Sequence, residues 1–297
     1  MEDLRTLQAN QCLFGYSDGH RLLASSIRLG SEAESVLLLH SDRAPGLPAT
    51  SFEAYWTGYP VPSIKAYALM RTWSADEMPR PGCVWTHAIL IPFSELAQIR
   101  DLGSLVRYFA RPLTGGQAVD YSRPIEITIP GHTGRQVSSP YSAQKIVHEL
   151  YDVDASGVVT GLDVDDDPTM FAVWSQQWPR LRRSFSFRTA LAKESAHTSM
   201  RFDVRYGDFS RTSATPGGAV PGWEAVAIED LMHPGPFRDF LWKYGPDQLK
   251  GRERFVLLGE VFASAHGPEM TASAGVSILD LLVKELPSLE DGKALKA

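Results

Sequence analysis

The stretch Arg80-Pro-Gly-Cys-Val-Trp-Thr-His-Ala-Ile-Leu-Ile-Pro92, read with Ile64 to Trp73 before it, decides how this chain folds. Both segments are rich in β-branched, aromatic and aliphatic residues. The piece between them, Ser74 to Gly82, carries two prolines and a glycine. Two such runs joined by a short breaker segment read as an antiparallel strand pair. Period two places Cys83, Trp85 and His87 on one face of the second strand and Val84, Thr86 and Ala88 on the other. Cys83 and His87 are then separated by roughly 13 Å along the strand, too far for direct contact.

Working outward, Gln11 to Tyr16 and Arg21 to Leu29 flank Ser17-Asp18-Gly19, a turn signal, so the N-terminus reads as a hairpin. Glu32 to His40 reads as a helix started by Ser31. Residues 42 to 63 hold many prolines and glycines and read as loop carrying aromatic anchors, Phe52, Tyr55, Trp56 and Tyr59. Short helices are expected at 92–100 and 104–109, and a strand at 125–129. Ser142 to Tyr151 places Ile146, Val147 and Leu150 on one helical face. A short strand at Val158-Val159, a helix from Pro168 to Trp178 and strands at 184–188 and 200–206 follow. After Thr215-Pro-Gly-Gly the chain reads as helix at 223–232, 236–244, 252–265 and 276–286. The order, strands first and helices last, predicts an α+β fold with an N-terminal antiparallel β-rich part and a mostly helical C-terminal part. The division expected is 1–130 and 131–297, or one integrated domain to about residue 213 with a helical extension over 214–297.

The chain has 297 residues, 29 Lys+Arg against 35 Asp+Glu, and a net charge of −6. Counterion release from nucleic acid needs a basic face, so this balance argues against a general nucleic-acid or anionic-membrane binder. Two cysteines, Cys12 and Cys83, make neither a disulfide framework nor a zinc set. No apolar run approaches the roughly 20 residues of a membrane helix, and the start MEDLRTLQ has no basic-then-apolar leader pattern. The expectation is a cytoplasmic protein without a cofactor. Walker-type, dinucleotide-binding and His-Glu-x-x-His patterns do not occur in the sequence.

Chemistry-bearing residues concentrate between Gln11 and His87. Asp18, His20, Asp42, Cys83 and His87 are the candidates for a catalytic site, because a thiol needs an imidazole to become thiolate and a carboxylate to orient that imidazole. The competing reading places Cys83 and Trp85 in a core and gives His87 a hydrogen-bond partner there. Arg180, Arg182, Arg183 and Arg188 form the one basic cluster. Arg180 and Arg183, with Tyr55, Trp56 and Tyr59, are the candidates for partner contacts, since Trp, Tyr and Arg dominate binding hot spots. Asp152, Asp154, Ser156 and Asp163 fall at positions one, three, five and twelve of a calcium-loop template. A solvated acidic turn accounts for the same letters.

The motifs QCLFGYSDGHRLLASS (11–26), Ser41-Asp42, TGYP (57–60), RTW (71–73), RPGCVWTHAILIP (80–92) and WPRLRRSFSFRT (178–189) together resemble the N-terminal domain of bacterial GTPase-associated protein one. The resemblance runs from residue 11 to about 190. It implies an adaptor or regulatory subunit of a multi-component conflict or anti-phage defence system, acting with a GTPase encoded nearby. It carries over no catalytic residues. The alternative from the residues themselves is a hydrolase-type effector with a Cys/His/Asp site between Tyr16 and His87.

Overall fold

A computed structural model describes residues 5–49, 52–78, 80–113, 115–129, 137, 139–192, 201–207, 220–266, 272–288 and 290–297. In chain order these form β1 (Arg5–Tyr16), β2 (His20–Ser25), α1 (Ser31–Ser41), β3 (Tyr55–Val61), β4 (Ala66–Ser74), β5 (Val84–Pro92) and the short α2 (Phe93–Leu96). Two 3-10 segments, Leu102–Tyr108 and Gly115–Ser122, lead to β6 (Ile125–Ile129). Then come α3 (Pro140–Tyr151), β7 (Val158–Thr160), α4 (Asp167–Gln176), α5 (Pro179–Ser184), β8 (Phe187–Ala192) and β9 (Val204–Gly207). The rest is helical: α6 (Gly222–Met232), α7 (Pro236–Tyr244), α8 (Glu253–His266), α9 (Ala272–Glu285) and α10 (Lys293–Lys296). The chain is thus α+β, strands first and helices last.

Among the described residues nine strands join one sheet, in the order β2-β1-β5-β4-β3-β8-β9-β7, with β6 paired to β1. The antiparallel pair expected from Ile64–Trp73 and Cys83–Ile91 is its centre: β4 and β5 run antiparallel in continuous register from Ala66↔Pro92 to Ser74↔Val84. The hairpin β1–β2 turns at Asp18 (φ 54°) and Gly19 (φ 121°), the left-handed conformations that Asp and Gly tolerate there. One expectation needs refining. The sheet is mixed, because β9 lies parallel to both β7 and β8.

A second expectation is corrected. Tyr55 to Val61 is a strand, β3, paired to β4 from Tyr55↔Thr72 to Val61↔Ala66. Gly58 and Pro60 look like loop punctuation, but each has a reason to sit in a strand. A Cβ on Gly58 would lie 2.5 Å from the Phe187 ring and 2.6 Å from Tyr67 Oη, so β3 and β8 meet only because that side chain is missing. The pairing with β8 is confined to Thr57 and Gly58, so the missing amide of Pro60 falls where that ladder has ended.

Both faces of the sheet are covered, which is why β4 and β5 read as near-continuous apolar runs. On one face Trp56, Tyr67, Leu69, Ile89, Ile91 and Phe187 pack with Ile146 of α3, Trp174 of α4 and Ala227 of α6. On the other, Cys12, Phe14, Tyr59, Ala68, Met70, Ala88 and Leu90 pack with Ala33 and Leu37 of α1. Among the described residues no helix is long and apolar enough to cross a membrane.

Candidate functional site

The β1–β2 turn, the segment after α1 and the β4–β5 turn share one neighbourhood. His20 opens β2, and its Nε2 lies 2.8 Å from Ser41 Oγ at the end of α1. Ser41 Oγ donates to Leu38 O (3.0 Å), so its single proton is committed and His20 is the donor of the pair. The imidazole therefore does not act as a base toward this hydroxyl. Burial lowers the His20 pKa, and the Asp42 carboxylate opposes that shift. The same carboxylate acts on Cys83, whose thiol burial pushes up while Arg80 draws it down. Asp42 is itself exposed, and its Oδ1 accepts the Arg43 amide (2.7 Å). Among the described residues Cys83 makes no hydrogen bond or electrostatic contact with a histidine. Asp18 stands exposed at the hairpin tip.

His87 lies on the face of β5 opposite Thr86 and Ser41 and is 2% exposed. Its Nε2 is 2.9 Å from Gln11 Oε1, and the Ala110 amide donates to its Nδ1 (3.3 Å). Gln11 Nε2 donates to Asp120 O and Arg123 O (3.1 and 2.8 Å). That fixes Oε1 as the acceptor facing His87, and so the Nε2–H tautomer. The Phe109 and Tyr121 rings close the site, and burial lowers the pKa to about 3. The structure thus brings His20, Asp42 and Cys83 to one end of the sheet and holds His87 apart from them.

Beneath the end of α1 runs a polar band that the sequence reading had not assembled. Thr86 Oγ1 donates to Ser41 O (2.5 Å) and lies 2.9 Å from Thr72 Oγ1. Next to it, Arg188 of β8 reaches Thr57 Oγ1 (3.3 Å) and His40 Nδ1 (3.2 Å) and lies over the Phe202 ring at 4.6 Å. Thr57, Thr72 and Thr86 are fully buried; His40 is 3% and Arg188 7% exposed. Burial, reinforced by Arg188, lowers the His40 pKa to about 4. A single-strand pattern gives no signal for this band, because its members meet only through the lateral register Thr57↔Arg188 and Thr72↔Thr86.

The aromatic anchors belong to the interior: Tyr55, Trp56 and Tyr59 are 1%, 1% and 0% exposed. They sit in β3, between β4 and β8, so as placed they serve packing and not an outer surface. Tyr55 Oη accepts from the Ala44 amide (2.9 Å). In the basic cluster, Arg180 and Arg183 are exposed and Arg180 donates to Gln248 O (3.1 Å). Arg182 is fully buried and gives its donors to the carbonyls of Gln177, Ile99, Arg100 and Ser175.

At the acidic turn, Asp152 Oδ1 accepts the Asp154 amide (2.9 Å) and Asp163 Oδ1 the Asp165 amide (2.8 Å). Ser156 Oγ bonds Glu149 Oε2 (3.0 Å). Among the described residues no group of three His, Cys, Asp or Glu side chains that could hold a metal ion occurs. These contacts are those of a turn closed on itself.

The fold and this site define a class: an α+β sheet domain whose polar side chains are built into the sheet and bound to one another. Residues 8–109 match the family model of GTPase-associated protein 1, N-terminal domain type 1. The match spans β1 to the 3-10 segment Leu102–Tyr108, the region holding His20, Asp42, Cys83 and His87. No curated protein and no solved structure matches the chain.

Proposed function

We propose that this protein is a non-catalytic adaptor or regulatory subunit, cytoplasmic and bacterial, that acts with a partner GTPase in a multi-component conflict or anti-phage defence system. The observation that carries the reading is the family match over residues 8–109, whose description names association with a GTPase. The geometry supports it: His20 is the donor to Ser41, and His87 is enclosed between Gln11 and Ala110. Neither is arranged to activate Cys83. The partner contacts are assigned to exposed groups, with Arg180 and Arg183 foremost. We also propose that the sheet through Gly207 folds as one unit, since β7, β8 and β9 complete it, and that the helices after it form an extension.

The test is co-purification of the full chain with the GTPase encoded beside it, in the nucleotide-free, GDP and GTP states. A complex in at least one state at micromolar concentration is expected. Two proteins that elute separately in all three states would sink the adaptor reading.

A further inference from the structure

The exposed arginines of α5 stand at the mouth of a cavity. α5 packs against the segment that leads into α8: Arg180 donates to Gln248 O (3.1 Å), and Leu181 comes within 3.9 Å of the place a Cβ on Gly251 would take. Between the two lies a cavity of about 460 Å³. Gln177, Leu181, Ser184 and Phe185 line one side of it, and Asp203 with residues 250–253 the other. Gln177, Leu181 and Phe185 are buried, so core packing fixes the floor.

The rim is basic. Arg180 and Arg183 flank Leu181 on α5, and Lys250 and Arg252 belong to the opposite wall; all four are exposed. Two carboxylates lie among them. Asp203 is engaged by Arg252 (2.9 Å) and by the amide and hydroxyl of Ser186 (2.8 and 3.0 Å). Glu253 and Lys250 are an exposed pair at 3.4 Å, which binds either partner weakly. A guanidinium carries five donors, so the Asp203 contact leaves Arg252 able to take a second carboxylate. Four cations against two carboxylates leave this mouth positive, on a chain whose net charge is −6.

The surroundings select the kind of anion. The cavity shares Asp203, Lys250, Arg252 and Glu253 with a second one of about 810 Å³, whose further lining includes Glu149, Asp152, Glu260 and Glu285. The sign of charge therefore changes along the groove. A nucleic-acid backbone carries one sign of charge at even spacing and meets repulsion in the second half. A peptide can place carboxylates at the α5 end and neutral or basic residues beyond it.

We propose that this groove binds an extended segment of a partner protein, with Asp or Glu side chains of that segment held between Arg180, Arg183, Lys250 and Arg252. The proposal rests on the adaptor reading, which supplies a protein partner, and adds the chemistry that the partner presents.

The experiment is fluorescence anisotropy of the full chain with a labelled peptide of alternating glutamate and serine, in low salt, where exposed charges are least screened. The same peptide with glutamine for glutamate, and a labelled oligothymidylate, run beside it. The glutamate peptide is expected to bind, and the glutamine peptide to bind at least roughly tenfold more weakly. Arg183→Glu combined with Lys250→Glu should weaken the glutamate peptide by about tenfold. Arg21→Glu combined with Arg28→Glu makes the same change in net charge at exposed positions that line neither cavity, and should leave the affinity within about twofold. An unfolding midpoint equal to the parent's shows that each double variant is folded. No binding of the glutamate peptide, equal binding of the glutamine peptide, tighter binding of the oligothymidylate, or equal losses in the two double variants would overturn the proposal. Such a result alongside an intact GTPase complex leaves the adaptor reading standing. Peptide binding at the groove without GTPase co-purification supports the groove and removes the GTPase as its partner.

Discussion

His87 should make this protein acid-labile by an amount that one substitution can measure. Its ring is fixed as the Nε2–H tautomer, and the Ala110 amide points at Nδ1. A second proton would have to sit on Nδ1, facing a backbone donor in a site closed by Phe109 and Tyr121. The folded protein therefore resists that proton down to about pH 3, while the unfolded chain takes it up near 6.5. Stability is full above 6.5 and falls as pH drops below it, at about 1.4 kcal/mol per pH unit for each such group. His40, lowered to about 4, adds a slope of the same sign over most of this window. Asp167, buried and raised from 3.8 to about 7, works the other way: the folded state keeps a proton that the unfolded state has lost. Between pH 6 and 4.5 the sum of these three is about one proton, or about 2 kcal/mol of stability lost. His87→Gln keeps a donor and an acceptor but does not titrate, so it should remove one proton's worth of slope whatever it does to stability at pH 7. Urea unfolding of both proteins at half-unit steps from pH 7 to 4.5 gives the two slopes. Parallel slopes would refute the claim that Gln11 and Ala110 hold this imidazole neutral.

Other substitutions follow from the packing. Gly58→Ala puts a methyl group 2.5 Å from the Phe187 ring in a fully buried layer and should cost about 1–3 kcal/mol in urea unfolding. Arg182→Met leaves the carbonyls of Gln177, Ile99 and Ser175 without their donor and should cost about 3–5 kcal/mol; a stability within error of the parent would show that those carbonyls find other partners. Cys83→Ser, at a half-buried thiol that contacts no histidine among the described residues, should leave GTPase co-purification unchanged, and loss of the complex in a folded variant would count against the non-catalytic reading.

The sheet's centre was legible because β4 and β5 are long, apolar and separated by a breaker. The helices were legible from period and from prolines at their starts, as at Pro168 and Pro236. What failed was β3. Gly58 and Pro60 signal a loop to any local reading, and only the neighbours Phe187 and Tyr67 explain the glycine. The candidate site was legible in part. The Asp42 carboxylate acts electrostatically on both His20 and Cys83, residues the motifs had already singled out. Arg188 and His40, 148 positions apart, meet only because β8 is inserted beside β3. The parallel strands β7 and β9 were invisible as a pair, since the pairing of a three-residue strand has no sequence period to read.

This arrangement also decides how the adaptor proposal must be tested. The aromatic residues that hot-spot composition marks as partner contacts are core residues: Trp56 packs edge-on against Phe109 and Phe171 and under the Arg71 guanidinium. Trp56→Ala should cost about 3–5 kcal/mol, a large share of a typical domain's stability. Its partner binding would fall because less of the chain is folded, whether or not the partner touches β3. Arg180→Glu and Arg183→Glu reverse charge at exposed positions, where substitutions usually shift stability by no more than about 0.5 kcal/mol. A drop in GTPase binding there, with an unchanged unfolding midpoint, reports contact and not folding. Retained binding in the double variant moves the interface away from α5, to surfaces that neither the aromatic motifs nor the basic cluster mark.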